Sequence, residues 1–596
     1  MTVSPALNSD GPLKLEISAA GKNIADDLEV MSVRVFKAVN RIAQAEIVIR
    51  DGDMPTGTFP ASEGDSFKPG GEISISAGYG QEATVLFSGI VVGQRLGIGE
   101  GNLATLTVEC RDKAVAMTVG RKNANYVDQK DSDIASTLIG NAAGLTADVS
   151  STSTQWKELV QYYCSDWDFL VARAEANGFV VTVSDGTVGF KAPDTSASAD
   201  LKVTYGYDLM EFQASLEARD QFAKVKATAW DIKNQAVIVA EASPEGLNEQ
   251  GDLDSATLAK VLGSEPFGLQ TPATLESGAL EAWAKGQQLK SGLSRLRGSM
   301  AFQGSAKAKP GGIIQLEGVG KRFNGNVYVS SVTQELREGN WLTRVEFGMS
   351  PTWYAERGDL AAPGASGLVP GIEGLHVGVV KKLASDPEGQ FKVQVSVPVM
   401  QASTDGVWAR LMQFHATSGQ GAFFLPEIGD EVVLGYFNND PSAPVILGSL
   451  YSSSRKPRYD FADANNTKAI TTRSGLTLEY DDEKKIITLV TPGNNTIVIS
   501  DDDKSILLKD QNGNTAKLGT SGIALDSPKD ITLSAKGKIS LSALNNVEIS
   551  ATQDATVSGL NISHTAKVGF TAKGNATAEL SASGQTTVKG AMVMIN

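Results

Sequence analysis

The chain is poor in the residues that build disulfide scaffolds, metal centres and nucleic-acid surfaces. Only Cys110 and Cys164 are cysteines, and only three of the 596 residues are histidines. Two distant thiols without a CxxC spacing predict reduced, buried side chains in a protein made in the cytoplasm. The net charge of −15 argues against a nucleic-acid partner, because such a surface needs a basic patch.

Long apolar runs are also missing. No stretch of about 18 apolar residues is present, so no membrane-spanning segment is expected. The first residues lack a basic region followed by an apolar stretch, so no secretory signal is expected. Aromatic residues make up only 7% of the chain, whereas glycine occurs 61 times. This composition fits short strands and many turns in about three to five domains.

Catalytic motifs are absent or incomplete. Residues 318–322, GVGKR, resemble part of a phosphate loop, but Gln315 and Arg322 stand where that loop needs glycine and Ser or Thr. No GxSxG elbow occurs, and His376, His415 and His564 have no paired-ligand spacing. The acidic clusters at 481–483 and 501–503 fall in predicted turns, where solvated charges are expected. We therefore expect no catalytic residues, no cofactor and no enzymatic activity.

The strongest pattern is an eight-residue repeat in the last quarter of the chain. Apolar residues alternate within each unit, which predicts short strands, and polar turns such as 536–538 and 544–546 separate the units. The repeat returns with a slipped register at Leu560, Ile562 and His564 and again at Val568, Phe570 and Ala572. The first three units are Ile531, Leu533 and Ala535; Ile539, Leu541 and Ala543; and Val547, Ile549 and Ala551.

A unit of this size leaves an apolar face and two strand edges uncovered. Two closures are open: a single-chain β-solenoid, or a prism in which three copies each supply a wall. The absence of a strict hexapeptide motif favours the trimeric prism. His564 would then meet its copies near the axis, where it would form either a packed ring or a metal or anion site. The predicted trimer core is Ile531, Leu533, Ile539, Leu541, Val547, Ile549, Val568 and Phe570.

Upstream of the repeat, apolar pairs recur at looser spacing, so the β-rod is expected to begin near Ser474. The pairs are Ile487 and Leu489, Ile497 and Ile499, Ile506 and Leu508, Ala516 and Leu518, and Ile523 and Leu525. The chain end is apolar, and it is expected to be capped by a partner or blunted by trimer closure, rather than frayed. The predicted tip-binding residues are Met592, Val593, Met594, Ile595 and Asn596.

The rest of the sequence, before the β-rod, predicts a mainly β protein with some α structure. Residues 13–110 alternate as strands, 132–178 are expected to be helical, and 254–262 and 275–293 have helical character. A capping box at Ser165 and Asp168 predicts a helix whose Trp167 face enters the core, with a stop at 177–178. The predicted domains are a first β-barrel at 1–120, an α+β segment with a second β-barrel at 121–360, a linker at 361–373, an OB-type barrel at 374–455, a linker at 456–473 and the β-rod at 474–596.

Four segments carry a resemblance that covers nearly the whole chain in order. Residues 425–436, LPEIGDEVVLGY, with 440–441 and 445–451, VILGSLY, resemble the OB region of VgrG spike proteins of contractile injection systems. Residues 165–170 with 177–178 resemble the hub helix of that family, and 309–312 through 328–332 its second hub barrel. Residues 472–482, TRSGLTLEYDD, resemble the start of its β-prism.

The resemblance implies a homotrimeric spike. Its N-terminal hub would adapt the threefold spike to a sixfold tail tube and baseplate. Its prism would pierce the target membrane and carry a PAAR-type tip protein, with effector cargo as a further partner. The short segment between Tyr451 and Arg473 leaves no room for an inserted lysozyme. The plain architecture favours an extracellular, phage-tail-like system over type VI secretion, with assembly in the bacterial cytoplasm before release.

Two other classes of function remain open on the sequence alone. One is an envelope-degrading enzyme carried on a β-rod, which would need paired acids or a nucleophile in a pocket. The other is a carbohydrate-binding adhesin that uses the rod as a stalk and binds through residues 374–451.

Overall fold

The structure, a computed structural model, describes residues 3–6, 11–19, 21–24, 28–80, 83–263, 265–401 and 403–595. The chain forms two compact units, Met1–Arg455 and Lys456–Asn596. Within the described residues, no helix has the length and apolar character needed to cross a bilayer.

Short strands dominate the first unit. Its helices are α1 (Pro60–Glu63), α2 (Asp131–Gly140), α3 (Asp166–Ala176), α4 (Ser255–Ala259) and α5 (Ser277–Ser294). Its strands are β1 (Leu13–Ala19), β2 (Lys22–Asn23), β3 (Val30–Ala38), β4 (Gln44–Arg50), β5 (Glu72–Tyr79), β6 (Thr84–Ile98), β7 (Ala104–Arg111), β8 (Lys122–Lys130), β9 (Thr146–Val149), β10 (Gln155–Cys164), β11 (Val180–Ser184), β12 (Thr187–Lys191), β13 (Leu201–Thr204), β14 (Leu209–Leu216), β15 (Val225–Asp231), β16 (Ala236–Ala242), β17 (Phe267–Thr271), β18 (Leu296–Gln303), β19 (Ile313–Glu317), β20 (Gly325–Arg337), β21 (Asn340–Phe347), β22 (His376–Lys382), β23 (Val393–Ser396), β24 (Val407–Leu411), β25 (Ala416–Thr417), β26 (Gln420–Gly421), β27 (Glu431–Tyr436) and β28 (Pro444–Leu450).

The second unit contains one run of equal strands. These are β29 (Thr467–Thr471), β30 (Thr477–Asp481), β31 (Ile486–Val490), β32 (Thr496–Ser500), β33 (Ser505–Lys509), β34 (Thr515–Gly519) and β35 (Gly522–Asp526). They pair in sequence order as one antiparallel sheet. The fold class is therefore mainly β with some α structure, as the sequence predicts.

One large sheet joins the two segments that the sequence assigns to separate barrels. Its order is β14-β18-β21-β20-β3-β4-β7-β6-β5-β1-β2, with β19 paired to β20 and β13 paired to β19. The connection is the antiparallel pairing of β20 with β3, which places Ser331 opposite Ala38. The domain boundary that the sequence predicts at residue 120 therefore does not separate two sheets.

Each half of this sheet nevertheless has its own core. Ile47, Leu106 and Phe87 belong to one apolar cluster, which continues onto α2 and α3. Phe302, Val327 and Phe347 belong to a second cluster between β13 and β18–β21. Alternation builds these cores, because every second residue of β7 is buried while its neighbours are partly exposed.

The predicted capping box and helix face are confirmed. The Ser165 hydroxyl accepts a hydrogen bond from the backbone N–H of Asp168 at 3.0 Å, and α3 begins at Asp166. Trp167, Leu170, Val171 and Ala174 are all buried in the first cluster. Gly178 ends the turn after the helix with φ of 68°, a conformation that glycine adopts without strain.

The predicted helical stretch at 132–178 is wrong in its centre. Strands β9 and β10 lie between α2 and α3, and β10 pairs with β8 as a two-stranded ribbon. Gln161 is buried and accepts a hydrogen bond from the Tyr126 hydroxyl at 2.9 Å, whereas Val160 and Tyr162 face outward. This alternation of aromatic and β-branched residues favours a strand over a helix.

The predicted helical stretches at 254–262 and 275–293 are present as α4 and α5, although α4 is shorter than the predicted stretch. Leu280 and Ala284 of α5 are buried against the small sheet β16-β15-β17. This pairing of an amphipathic helix with a three-stranded sheet forms a separate satellite core.

The OB-type region is a closed five-stranded barrel in the order β22-β23-β24-β28-β27. Val380, Val395, Val432 and Ile446 are fully buried inside it. The preceding segment, predicted as a linker at 361–373, packs on the barrel, since the N–H of Ile372 donates to the carbonyl of Asn439 at 2.9 Å.

A buried carboxylate fixes the helical layer of the first unit. Asp131 is almost fully buried and accepts hydrogen bonds from the Arg173 Nε at 2.7 Å, the Asn177 amide at 2.9 Å and the Trp156 indole at 2.9 Å. Burial by itself raises the pKa of Asp131, but Arg173 and the other donors outweigh it and hold the pKa below its usual value.

We predict that Asp131→Asn destabilises the protein by about 3 kcal/mol, because it leaves the Arg173 guanidinium without its buried counter-charge. Because the folded pKa of Asp131 is depressed, its stabilisation is present above the ordinary aspartate pKa of about 4 and is lost as the pH falls through the folded value. Chemical denaturation of the wild type and the variant at neutral and acidic pH measures both effects.

The matched control is Asp128→Asn, which removes an exposed carboxylate paired with Lys157 at 2.7 Å. That change should cost under about 1 kcal/mol. Equal stability of Asp131→Asn and the wild type at neutral pH would contradict the assigned role of Asp131.

Candidate functional site: the C-terminal repeat

The sheet of the second unit presents two unbroken rows of apolar side chains on one face. The predicted pairs at 487 and 489, 497 and 499, 506 and 508, 516 and 518, and 523 and 525 all lie within strands. The register aligns them across the sheet. One row is Ile470, Leu478, Leu489, Ile497, Leu508, Ala516 and Leu525; the other is Tyr480, Ile487, Ile499, Ile506, Leu518 and Ile523.

Polar hairpin turns separate these strands. Lys485, Asn494, Lys504 and Gly513 each have a positive φ in successive turns. The acidic clusters at 481–483 and 501–503 lie at these turns, as predicted. Asp510 accepts hydrogen bonds from the Asn514 and Asn512 amides, which lowers its pKa to about 2. These carboxylates therefore shape turns.

The sheet begins earlier than the sequence predicts. Strand β29 lies within residues 456–473, which the sequence assigns to a linker, and it pairs with β30 so that Ile470 faces Leu478. The Tyr459 hydroxyl donates to Glu479 at 2.5 Å. The polar composition of this segment hides the strand, since Ile470 is its one large apolar residue.

After β35, the backbone bends at regular intervals. Bends occur at 528–529, 536–537, 544–545, 552–553 and 560, and then at 567–568, 575–576, 583–584 and 591–592. The last residues of successive bends lie eight residues apart except for one seven-residue step, from 552–553 to 560. The predicted octad is therefore a repeat of the backbone as well as of the sequence, and it continues to the end of the described chain.

The bends define which side chains are equivalent. The second residue after each bend includes Ile531, Ile539, Val547, Ile562, Phe570 and Met594, and also Ala555, Ala578 and Thr586. The fourth includes Leu533, Leu541, Ile549, Val557, Leu580 and Val588. Val568, which the sequence aligned with Ile531, instead lies at a bend in the register of Gly537, and Phe570 takes the position equivalent to Ile531.

These apolar positions are exposed in the single chain. Every described residue from 528 to 595 is exposed, and none of the described residues between 530 and 595 belongs to a helix or strand. Exposure follows the repeat: Ile531, Ile539 and Val547 are 53–56% exposed, whereas Leu533, Leu541 and Ile549 are 68–80% exposed. Contiguous apolar exposure on this scale marks an association surface.

His564 occupies the fourth position after its bend. Its ring lies 6.1 Å from that of Phe570, centroid to centroid. Across the described residues, no group of three or more His, Cys, Asp or Glu side chains is placed to hold a metal ion.

The predicted tip residues Met592, Val593, Met594 and Ile595 are all exposed. Asn596 lies outside the described residues. The final bend at 591–592 places Met594 in the register of Ile539. The apolar chain end therefore continues the same surface.

Two family models cover most of the first unit. The family described as "Alg8 N-terminal domain" matches residues 9–338, more than half of the chain. The chain belongs to this family. A second model, "Type VI secretion system/phage-baseplate injector OB domain", matches residues 376–451, which are the closed barrel.

Curated relatives confirm the resemblance to VgrG spike proteins. The type VI secretion system spike protein VgrG1c of Pseudomonas aeruginosa is 26% identical over 162 residues, 25% of this chain and 22% of that protein. The spike protein VgrG3 of Vibrio cholerae is 28% identical over 92 residues, 15% of this chain and 9% of that protein. The chain thus spans less than a quarter of the length of these two relatives.

Solved structures of low identity also align. The 43 kDa tail protein of prophage MuSo2 from Shewanella oneidensis has a TM-score of 0.44 and 10% identity, over 57% of this chain and 98% of that one. The E. coli c3393 protein, a component of the type VI secretion system, has a TM-score of 0.37 and 12% identity, over 73% of this chain and 100% of that one.

We predict that Ile539→Asp prevents assembly through the repeat. In a prism, it would place a carboxylate from each copy near a shared axis, and burial of unpaired charge costs several kcal/mol per group. Size-exclusion chromatography with light scattering measures the mass of the assembly. The variant should show either a smaller mass than the wild type or non-specific aggregates.

Ser540→Asp is the matched control, because alternation points residue 540 away from the face of Ile539. It should leave the mass unchanged. An unaltered mass and melting temperature for Ile539→Asp would show that this face is not buried by assembly.

Proposed function

We propose that this chain is the central spike of a contractile injection system and that it works as a homotrimer. The observation that carries the proposal is the apolar octad, exposed along 528–595 in the same chain as an injector OB domain. Three copies can bury this face together, whereas the described single chain buries none of it. The relation to VgrG spike proteins supports the same assignment.

The proposed work is mechanical. A prism made of three chains hydrogen-bonds every strand edge, so a load along the rod is shared by many backbone bonds. The sheet of β29–β35 has one apolar face, which suits it to be one wall of such a prism. Sheath contraction would then drive the rod through the target envelope, with transient contact between the rod and the membrane.

The two ends of the chain would have different partners. The first unit would act as the hub that joins the threefold spike to the tail tube and baseplate. The exposed residues Met592–Ile595, with Asn596, would bind a PAAR-type tip protein, and cargo would be a further partner. The system would be extracellular and phage-tail-like, with its particles assembled in the bacterial cytoplasm and then released.

Sedimentation equilibrium of the full-length protein tests the trimer. The proposal expects three times the 62.7 kDa mass of one chain at micromolar concentration. A stable monomer would overturn it. For the biological role, particles from a strain that lacks this chain should fail to damage target cells, and the wild-type chain should restore the damage.

Deletion of residues 592–596 should leave the trimer intact and weaken tip binding, because it removes the last apolar side chains while keeping every earlier bend. Pull-down with a PAAR-type tip protein measures binding. The double substitution Thr586→Ala and Thr587→Ala is the control. If the deletion variant captures as much tip protein as the full chain does, the assigned tip site is wrong.

A further inference from the structure

A polar cleft lies in the first unit between the helical layer and the ends of β18 and β21. Its volume is about 700 Å³. Its walls combine apolar side chains, among them Phe347, Met349 and Trp353, with charged ones. A cleft of this size is within the range of ligand pockets, about 300–1,000 Å³, and is larger than a single ion needs.

More cationic than anionic side chains line the cleft, although the chain carries a net charge of −15. The lining cations are Arg41, Lys290, Arg297 and Arg357, and the lining carboxylates are Glu175 and Glu346. A cationic cleft in an acidic protein attracts anionic ligands against the field of the whole molecule.

Two of the four cations are already committed to ion pairs. Lys290 is buried and donates to Glu175 at 2.5 Å, and Glu175 also accepts from the backbone N–H of Tyr354 at 2.6 Å. Arg357 pairs with Asp359 at 2.7 Å. These pairs fix the cleft wall, because they tie α3, α5 and the segment after β21 together.

The Arg297 side chain is packed against the cleft wall, but one of its hydrogen-bond donors has no acceptor. Its Nε is buried and has no hydrogen-bond partner among the described residues. Gly348 leaves room for the aliphatic part of the Arg297 side chain, since a Cβ at Gly348 would lie 2.9 Å from the Arg297 Cγ. Arg297 lines the cleft, and its terminal N–H groups are not among the buried donors without a partner, so a ligand carboxylate in the cleft can accept hydrogen bonds from them.

Arg41 lies on a turn whose conformation is fixed. Asn40 has φ of 59°, and its side-chain oxygen accepts from the N–H of Val181 at 2.8 Å while its own N–H donates to the Val181 carbonyl at 2.7 Å. The described residues show no salt bridge to Arg41 or Arg297. Both guanidinium groups are therefore available to a ligand in the cleft.

We infer that this cleft binds an acidic segment of a partner protein. Its carboxylates would pair with Arg297 and Arg41, and the stems of its side chains would pack on Phe347 and Met349. A free inorganic ion would use the arginines but leave the apolar wall and most of the volume unfilled. The inference rests on the first unit alone and stands whether or not the chain proves to be a spike.

Fluorescence anisotropy of a fluorescein-labelled oligoglutamate peptide with the full-length protein tests the inference. The peptide should bind at low ionic strength and weaken as salt is added. Arg297→Gln and Arg41→Gln should each weaken binding about tenfold, the loss expected for one charge-assisted hydrogen bond. Arg337→Gln removes an exposed arginine of the same sheet, which pairs with Glu338 at 3.2 Å, and it should leave binding unchanged.

Competition experiments distinguish an acidic peptide from a neutral peptide and from free phosphate as the ligand. An oligoglutamine peptide should not bind, and inorganic phosphate should displace the acidic peptide only weakly. No oligoglutamate binding, equal binding by Arg297→Gln with an unchanged melting temperature, or tight binding of phosphate alone would each overturn the inference. If Arg297→Gln unfolds, Arg297→Lys tests the site, because it keeps the charge but removes the Nε donor.

Discussion

The constraint on which the second unit depends is that the apolar side chains of its repeat are not covered within the described single chain. Between 530 and 595 the described residues form no helix or strand, and bends at a mostly eight-residue step separate exposed apolar residues. Burial of apolar surface is worth about 25 cal/mol per Å². In the proposed trimer, each unit of the repeat would therefore add to the stabilisation gained by association.

The first unit has the opposite character, because its strands and helices close on themselves. One sheet spans both halves through β20 and β3, and separate cores around Ile47 and Phe302 fill it. Buried ion pairs at Asp131 and at Glu175 join α3 to α2 and to α5. Such pairs fix geometry more than they add stability. A first unit with its own cores and a second unit without one suit the proposed spike, in which the hub would fold within each chain and the prism would form only on assembly.

Local periodicity made much of this structure predictable from the sequence. The spacing of the octad, the strands of the apolar pairs at 487–525 and the α3 cap at Ser165 each depend on neighbouring residues, and each is confirmed. The short strands predicted within the octad are not present in the single chain. The pairing of Ser331 with Ala38 joins distant segments and has no local signal. Strand β10 is hidden by the helix signals that flank it, and Val568 stands two residues before Phe570, which imitates the spacing of Ile531 and Leu533. The cleft arginines have no signal in the sequence, since only the fold brings Arg41 and Arg297 into one cleft.

Electron cryomicroscopy of the full-length protein, at a resolution that separates strands along 528–595, tests the central claim most directly. The account predicts three chains in every cross-section of the rod, related by a threefold axis, with Ile539 of each chain pointing inward. A rod in which one chain coils on itself, with Ile539 facing that chain's own next turn, would contradict the account.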